Sequence, residues 1–347
     1  MLGVGEQSPC GDCIIESMHE EKTPADPDAL LSLGQQLKEH YQAPPPMPRR
    51  RGKQRDFSAL SFLLLAAVAV VLRTFKDSEL PKLLSRDCRL RQGLGFARVP
   101  HRTPIGRRLR AQGAEAEAQI AALGQQLLAE VKPEAKQSEV SALEGRMYEA
   151  QGPAWHKSSR QAGVVPIGLR NVDTESSWSK SGYRGWVQGY RLVMQSLVWP
   201  APVPLFAAWR PNNQNEAVIA ATALAEDHLV VTAVLLGDET FGGADFIQQY
   251  AAAGGWALTP KQLPVKYHTW KCDLYAHRKE TIELLFHRVI QASGLKACQV
   301  KGLGRNGAFV LASVWLYQIL FLVNYRHGRP VAEIKDLIDD ARWRIST

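Results

Sequence analysis

The sequence predicts an α/β protein in which helices flank a mixed β-sheet and an all-helical region precedes that sheet. Three observations support this prediction. Helical periodicity dominates up to about residue 135 of the 347-residue chain. From about residue 136, segments that alternate as strands take turns with helical segments. Residues 230–236 form a continuous, β-branched apolar run, which is typical of a central strand buried on both faces.

Residues 1–57 are predicted to be a largely disordered basic and proline-rich arm, because their prolines break regular elements. A short helix is expected at residues 28–41, where leucines cluster. The first residues soon become acidic and contain no basic segment followed by an apolar one, so no signal peptide is predicted. Five cysteines in the chain are too few for a disulfide scaffold, which indicates a reducing, cytoplasmic compartment.

Residues 58–135 are predicted to form a helical DNA-binding domain. Helices are expected at residues 59–73, 77–88, 104–109 and 114–131. Short helices that are joined by tight turns and carry several arginines are typical of helix-turn-helix DNA readers. A generic helical domain with a basic face is the alternative interpretation.

The positive charge of the chain is concentrated in one segment. The formal charge of the whole chain is +8. Residues 49–110 hold 16 Lys and Arg against 4 Asp and Glu, a net charge of +12, so the remainder sums to −4. A local excess of this size predicts a polyanionic partner. We interpret it as a nucleic-acid footprint in preference to an anionic-membrane contact or a solvated tail.

Residues 136–330 are predicted to form the mixed-sheet domain, and residues 331–347 a C-terminal helix. An antiparallel meander followed by alternating helices and strands fits the ribonuclease-H-like fold. The apolar run 308–323 has 16 residues, fewer than the about 20 that span a bilayer, so it is predicted to be a core helix without membrane contact. Strands are expected at residues 140–148, 185–199, 203–209, 230–236 and 256–259, and helices at residues 215–225, 244–253, 274–292 and 307–324.

Carboxylates on these elements are the candidate catalytic groups. Asp238 directly follows the buried strand, at the edge where α/β sheets bind ligands; capping of the next turn is the alternative. Glu283 lies at the edge of the apolar stripe of its helix, and a surface ion pair with Lys279 is the alternative. Glu144 lies within the first strand, and Asp173 is a further acid. Three converging carboxylates would suit two Mg²⁺ ions, or Mn²⁺, in phosphodiester cleavage.

Two short motifs are not interpreted as binding sites. Residues 302–307 match GxGxxG, but they lack a convincing preceding strand and an acid about 20 residues later, so a dinucleotide site is not predicted. Cys10 and Cys13 form one CxxC without a second pair, whereas a zinc site needs about four ligands.

The order of several motifs resembles that of DDE-type insertion-sequence transposases of bacteria. Residues 173–178 (DTESSW) and 185–192 (GWVQGYRL) are similar to the DxxxxW…GW.xGYKL signature of that family. The similarity covers about residues 58–326. Three further stretches resemble the end of the second-aspartate strand, the glutamate helix and the N-terminal helical domain: residues 236–241, 281–286 and 90–108.

The resemblance implies a ribonuclease-H-like domain with three metal-binding acids. Asp238 would be the second acid and Glu283 the third. The first Asp of the family stands in a context like DG, which is matched here by Glu144 and Gly145. This departure lengthens the ligand by one methylene, and octahedral Mg²⁺ is strict about geometry, so activity would be weakened or lost. Asp173 is the fallback first acid.

The resemblance also implies contacts with DNA in the helical domain and around the glutamate helix. The family places Tyr seven and Arg four residues before the Glu, and Lys seven residues after it. In this chain the Tyr and the Arg stand one residue early, and Ile290 occupies the Lys position. The implied DNA contacts are Arg107, Arg108, Tyr275, Arg278 and Lys279.

The favoured hypothesis is a transposase that binds terminal inverted repeats and catalyses Mg²⁺-dependent DNA cleavage and strand transfer. Its partners would be double-stranded DNA, namely transposon ends and target DNA, and it would act as a homodimer on DNA, in the cytoplasm and associated with the nucleoid. The alternative is an inactive or repurposed transposase-derived protein that binds DNA without catalysis. A related nuclease that cuts nucleic acid without transposing it is a third hypothesis.

Overall fold

The computed structural model describes residues 27–43, 57–131, 139–165, 171–264 and 267–346. Most of the predicted arm, with Cys10 and Cys13, lies outside the described residues. Within the arm, helix α1 spans Pro27–Glu39. This helix agrees with the one expected at residues 28–41.

The described strands form one mixed sheet. Its members are β1 (Val140–Glu149), β2 (Ser177–Ser181), β3 (Gly185–Leu197), β4 (Val203–Pro211), β5 (Val234–Gly237) and β6 (Trp256–Leu258). One edge of β3 pairs antiparallel with β1, and the other edge pairs with β2 and then with β4. β1 pairs parallel with β5, and β5 pairs parallel with β6. The predicted mixed sheet is therefore confirmed.

Helices flank this sheet on both faces. Successive strand residues point to opposite faces, so Leu143 and Val193 pack into one core with Ile219 and Phe246, while Ala142 belongs to the larger core on the other face. After α1, the helices are α2 (Ala59–Val71), α3 (Leu80–Arg86), α4 (Cys88–Gly93), α5 (Arg102–Arg110), α6 (Gly113–Glu130), α7 (Lys157–Gln161), α8 (Glu216–Ala225), α9 (Ala244–Ala252), α10 (Trp270–Ser293), α11 (Leu303–Arg326) and α12 (Ile334–Ser346).

α11 is the central helix of the larger core. It packs against α2, α5, α6 and β4. Its length and composition would suit a membrane span, but 94% of its apolar window is buried inside the protein, in agreement with the predicted core helix. The buried Gln318 amide donates to the Ile120 carbonyl at 3.0 Å and the Pro204 carbonyl at 2.9 Å, so α11 ties α6 to β4.

The helical region shares this core with the sheet. α2 is apolar on all sides and almost fully buried, as expected of a core helix. α6 packs on β4, where Glu117 accepts hydrogen bonds from the Trp209 amide at 3.0 Å and from Arg210 Nη2 at 2.9 Å. The domain limits at residues 57, 135 and 330 stay predictions.

Two expected elements differ from those observed. The helix expected at residues 77–88 is divided at Asp87, because its side chain accepts from the Leu90 amide at 2.9 Å and caps α4. The strand expected at residues 230–236 begins only at Val234. The Val230 amide donates to Gln195 Oε1 at 3.1 Å and the Thr232 amide to Tyr250 Oη at 2.8 Å, so side chains replace a neighbouring strand there. β2 and α7 were not predicted from the sequence.

Candidate functional site

Glu144 and Asp238 leave neighbouring strands at the same level. β1 and β5 run parallel, and Leu143 lies opposite Gly237 in their register. The residue after each is one of the two acids, so the register brings the carboxylates side by side at the carboxyl end of β5. Glu144 shares the sheet face of Ala142, which is the face that α10 covers.

Glu283 lies on α10, within electrostatic reach of Glu144. This helix packs against β1, β3 and β5 through a stripe that includes the buried residues Ile282 and Leu285. Glu283 stands at the exposed margin of that stripe. Burial raises the pKa of Glu144, Arg278 opposes this rise, and the negative charges of Asp238 and Glu283 add to it. Glu144 thus lies within electrostatic reach of both Asp238 and Glu283, and we call these three residues the acidic centre.

Arg278 neutralises the first of these acids. Its Nη1 lies 2.8 Å from Glu144 Oε2, and the side chains of Arg278 and Glu144 are 15% and 25% exposed. The guanidinium also lies over the Tyr275 ring, 5.5 Å from its centroid. Two of the residues proposed as DNA contacts therefore belong to the acidic centre, whereas Lys279 is exposed beyond it.

Glu216 is a further acid within electrostatic reach of Glu144 and Asp238, and it was not singled out from the sequence. It opens α8 on the opposite face of the sheet and pairs with Arg191 Nη1 at 2.8 Å. A Cβ at position 145 would overlap its carboxyl group, so only Gly145 admits it. Burial raises the pKa of Glu216, Arg191 opposes this rise, and the charges of Asp238 and Glu144 add to it. No local sequence signal marks Glu216, because its neighbours Gly145 and Arg191 come from distant parts of the chain.

Asp238 also has a local role. Its Oδ1 accepts from the Thr240 amide at 2.8 Å and caps the short 3₁₀ turn Glu239–Phe241. The capping alternative is thus realised in the structure. It uses one carboxylate oxygen and fixes the side chain at the end of β5, so capping and membership of the acidic centre coexist.

The donor set fits a hard divalent cation by its chemistry. Carboxylate oxygens are the ligands that Mg²⁺ and Mn²⁺ prefer. Within the described ranges, however, no three His, Cys, Asp or Glu side chains are gathered closely enough to hold a metal ion. The Glu144 carboxylate forms an ion pair with Arg278, so a metal ion would have to displace this guanidinium to bind Glu144.

Asp173, the fallback first acid, has structural partners. Its Oδ1 accepts from Tyr190 Oη at 2.8 Å and from the Glu175 amide at 3.2 Å, and its Oδ2 accepts from the Gly302 amide at 2.9 Å. The Glu175 carboxylate accepts from the Leu303 amide at 2.7 Å. The acids of the DTESSW segment thus satisfy amides at the start of α11, so we do not include Asp173 in the acidic centre.

Arg107 and Arg108 lie on α5, outside the acidic centre. Arg107 is exposed and lines the cavities on both sides of this helix. Arg108 lies 6.0 Å from the centroid of the Phe62 ring. The GxGxxG segment at residues 302–307 is the first turn of α11.

Comparisons with known proteins give little further information. No protein-family model matches the chain, and no curated protein matches it at a significant level. A solved structure that is similar is the cryo-EM structure of a piggyBac transposase synaptic complex with hairpin DNA. The two chains are 10% identical, with a TM-score of 0.42, over 92% of this chain and 80% of the other. Similarity at this level establishes neither the fold nor the activity of this chain.

Proposed function

We propose that this protein is a DNA-processing enzyme of the transposase type that cleaves DNA with Mg²⁺ at a centre formed by Glu144, Asp238 and Glu283. The observation that carries this proposal is the shared level of Glu144 and Asp238 on adjacent parallel strands, with Glu283 within electrostatic reach. A carboxylate with a raised pKa, such as Glu144, beside a second acid at the carboxyl end of a central strand is typical of functional sites.

The topology supports a ribonuclease-H-like interpretation of the sheet. β1, β3 and β4 form an antiparallel meander, and β5 and β6 continue the sheet in parallel on the other side of β1. In this arrangement Glu144 lies on β1 and Asp238 directly follows β5, which supports their proposed roles as first and second acid. Binding of terminal repeats, strand transfer to target DNA and action as a homodimer belong to the same proposal.

The residues of the centre have separate tasks in this proposal. Glu144, Asp238 and Glu283 would hold two Mg²⁺ or Mn²⁺ ions, which when bound supply an activated water and charge compensation for phosphodiester cleavage. Arg278 balances the charge of Glu144. The Thr240 amide orients Asp238. Arg191 pairs with Glu216 on the face of the sheet opposite Glu144.

A cleavage assay tests this function. Labelled double-stranded DNA that carries the flanking ends of the gene is incubated with the protein and Mg²⁺. Wild type is expected to cut the DNA, and Asp238→Asn to lose cutting while still binding. Glu239→Gln is the matched control, because Glu239 is the adjacent, exposed acid. Equal cutting by wild type and Asp238→Asn would refute the assignment.

A second candidate is a DNA-binding protein without catalysis. The Arg278–Glu144 ion pair favours it, because a side chain of the protein itself already balances the charge of Glu144. This candidate predicts that all three proteins bind the DNA ends and that none cuts them with Mg²⁺ or Mn²⁺.

A further inference from the structure

A basic groove lies between α5 and the start of α11, separate from the acidic centre. Its cavity has a volume of about 610 Å³. One carboxylate, Asp77, is among its lining residues, and Arg305 Nη2 already binds it at 2.9 Å. The cationic side chains that line the groove are Lys76, Arg102, Arg107, Arg110, Lys301 and Arg305.

Most of this positive charge is not compensated by the described part of the chain. Arg102, Arg107, Arg110 and Lys301 form no ion pair with any described residue. Like charges that converge on a concave surface repel one another and focus the electric field, so they attract an anion. Arg102, Arg107 and Arg110 are exposed on α5, so the groove presents several cations to solvent.

The dimensions of the groove fit a chain of phosphates better than a single ion. A volume of about 610 Å³ is far larger than a single ion occupies. From Arg102 to Arg110, α5 rises about 12 Å, which matches three to four nucleotides at about 3.4 Å each. Guanidinium groups bind phosphate oxygens in pairs, so the arginines along α5 suit more than one phosphodiester.

We propose that this groove binds the phosphodiester backbone of double-stranded DNA. The inference deepens the proposed function, since the ligand is the DNA that the acidic centre would cut. The groove reaches Gln151, beyond the end of β1, and Glu144 lies five residues before Glu149 on that strand, or about 17 Å. The groove would therefore bind the DNA backbone several nucleotides away from Glu144, Asp238 and Glu283. It would position the DNA without contacting the phosphodiester bond that is cleaved.

The cavity on the other side of α5 extends this basic surface. It has a volume of about 630 Å³, shares Arg107 with the groove and is also lined by Arg98 and Arg108. A helix with cations toward two adjoining cavities offers contacts to more than one stretch of backbone. This arrangement favours a duplex over an isolated phosphate.

The test is the salt dependence of DNA binding without metal. Fluorescence anisotropy with a labelled duplex of about 30 base pairs is measured in EDTA between about 50 and 200 mM KCl, since each phosphate contact contributes about 0.9 to the slope of log K against log salt. The groove variant carries Arg102→Gln, Arg110→Gln and Lys301→Gln. The control variant removes the same charge at exposed sites outside both cavities: Lys38→Gln, Lys180→Gln and Arg329→Gln.

The groove variant is expected to lower the slope by about 2–3, while the control keeps the wild-type slope. Thermal melting checks that both variants fold. Equal slopes for all three proteins would overturn the groove assignment, as would binding to phosphatidylserine vesicles in place of the duplex. The proposed function is tested separately. DNA cleavage that persists in Asp238→Asn would refute the catalytic role of the acidic centre, whatever the groove variant shows. An unchanged salt slope in the groove variant would refute DNA binding by the groove, even if wild type cleaves DNA.

Discussion

Arg278→Met removes the counter-charge of Glu144 and keeps most of the apolar stem of the side chain. The ion pair joins α10 to β1, and its side chains are 15% and 25% exposed. Removing one partner of a fully buried pair costs about 3–5 kcal/mol, whereas an exposed pair contributes about 0.2–1 kcal/mol. With a discount for the remaining solvent contact, the expected loss in the free energy of unfolding at neutral pH is about 2–3 kcal/mol.

The loss is expected to depend on pH in one direction. Burial and the charges of Asp238 and Glu283 already raise the pKa of Glu144, and Arg278 opposes this, so the pKa rises further in Arg278→Met. A raised carboxyl pKa leaves stability intact below the ordinary value of about 4.5 and costs stability as the pH rises through the folded-state value. The gap between wild type and variant therefore widens from acid to neutral pH.

Urea denaturation at several pH values measures this gap. Lys279→Met, a change at the exposed neighbour, is the control and should stay within about 0.5 kcal/mol of wild type. Glu144→Gln in the Arg278→Met background should restore most of the lost stability, because it removes the unpaired charge. A neutral-pH loss below about 0.5 kcal/mol, or one that does not change with pH, would refute the reasoning.

Two further predictions concern close packing and the DTESSW segment. Gly124→Ala should lower the free energy of unfolding by about 2–3 kcal/mol, because a methyl would overlap the Leu205 backbone where α6 crosses β4; Gly113→Ala, on the same helix with open space around it, should be close to neutral. Asp173→Ala should cost about 3 kcal/mol, because it deprives the buried Tyr190 hydroxyl and the Gly302 amide of their acceptor, and Tyr190→Phe should cost about 1 kcal/mol. Denaturant titration measures the free energy of unfolding of all four variants. Equal losses in Gly124→Ala and Gly113→Ala would contradict the first prediction, and equal losses in Asp173→Ala and Tyr190→Phe would contradict the second.

Elements with strong periodicity were predictable from the sequence. β1, β3, β4, α8 and α9 lie within about two residues of their expected limits. The apolar run at residues 230–236 correctly indicated burial but overestimated strand pairing. Side-chain hydropathy indicates whether a residue is buried. Strand pairing depends on which group accepts the hydrogen bond of each backbone amide, and here the side chains of Gln195 and Tyr250 accept those of Val230 and Thr232.

The candidate site was only partly predictable. The adjacency of Glu144 and Asp238 follows once the strand order is known, because the parallel register fixes both side chains. The Arg278–Glu144 pair joins residues 134 positions apart, and the Arg191–Glu216 pair crosses from β3 to α8. Such contacts arise from packing between distant elements, so no local spacing in the sequence predicts them.

β2 was missed for a related reason. Its residues Ser177–Ser181 alternate weakly between polar and apolar and are only partly buried, so local hydropathy does not mark a strand. Their pairing depends on the long strand β3, whose first residues lie beside them. An edge strand of this kind can be predicted only when the position of its neighbouring strand is known.

The most direct test of the central claim is Mn²⁺ binding to the acidic centre. Electron paramagnetic resonance follows free Mn²⁺ during titration of wild type, Asp238→Asn, Glu239→Gln and Arg278→Met. The account predicts binding by wild type and Glu239→Gln, loss of binding in Asp238→Asn, and tighter binding in Arg278→Met, because Glu144 is then free of its guanidinium. Equal affinities in all four proteins, or no binding even in Arg278→Met, would contradict the claim that these carboxylates form a metal centre.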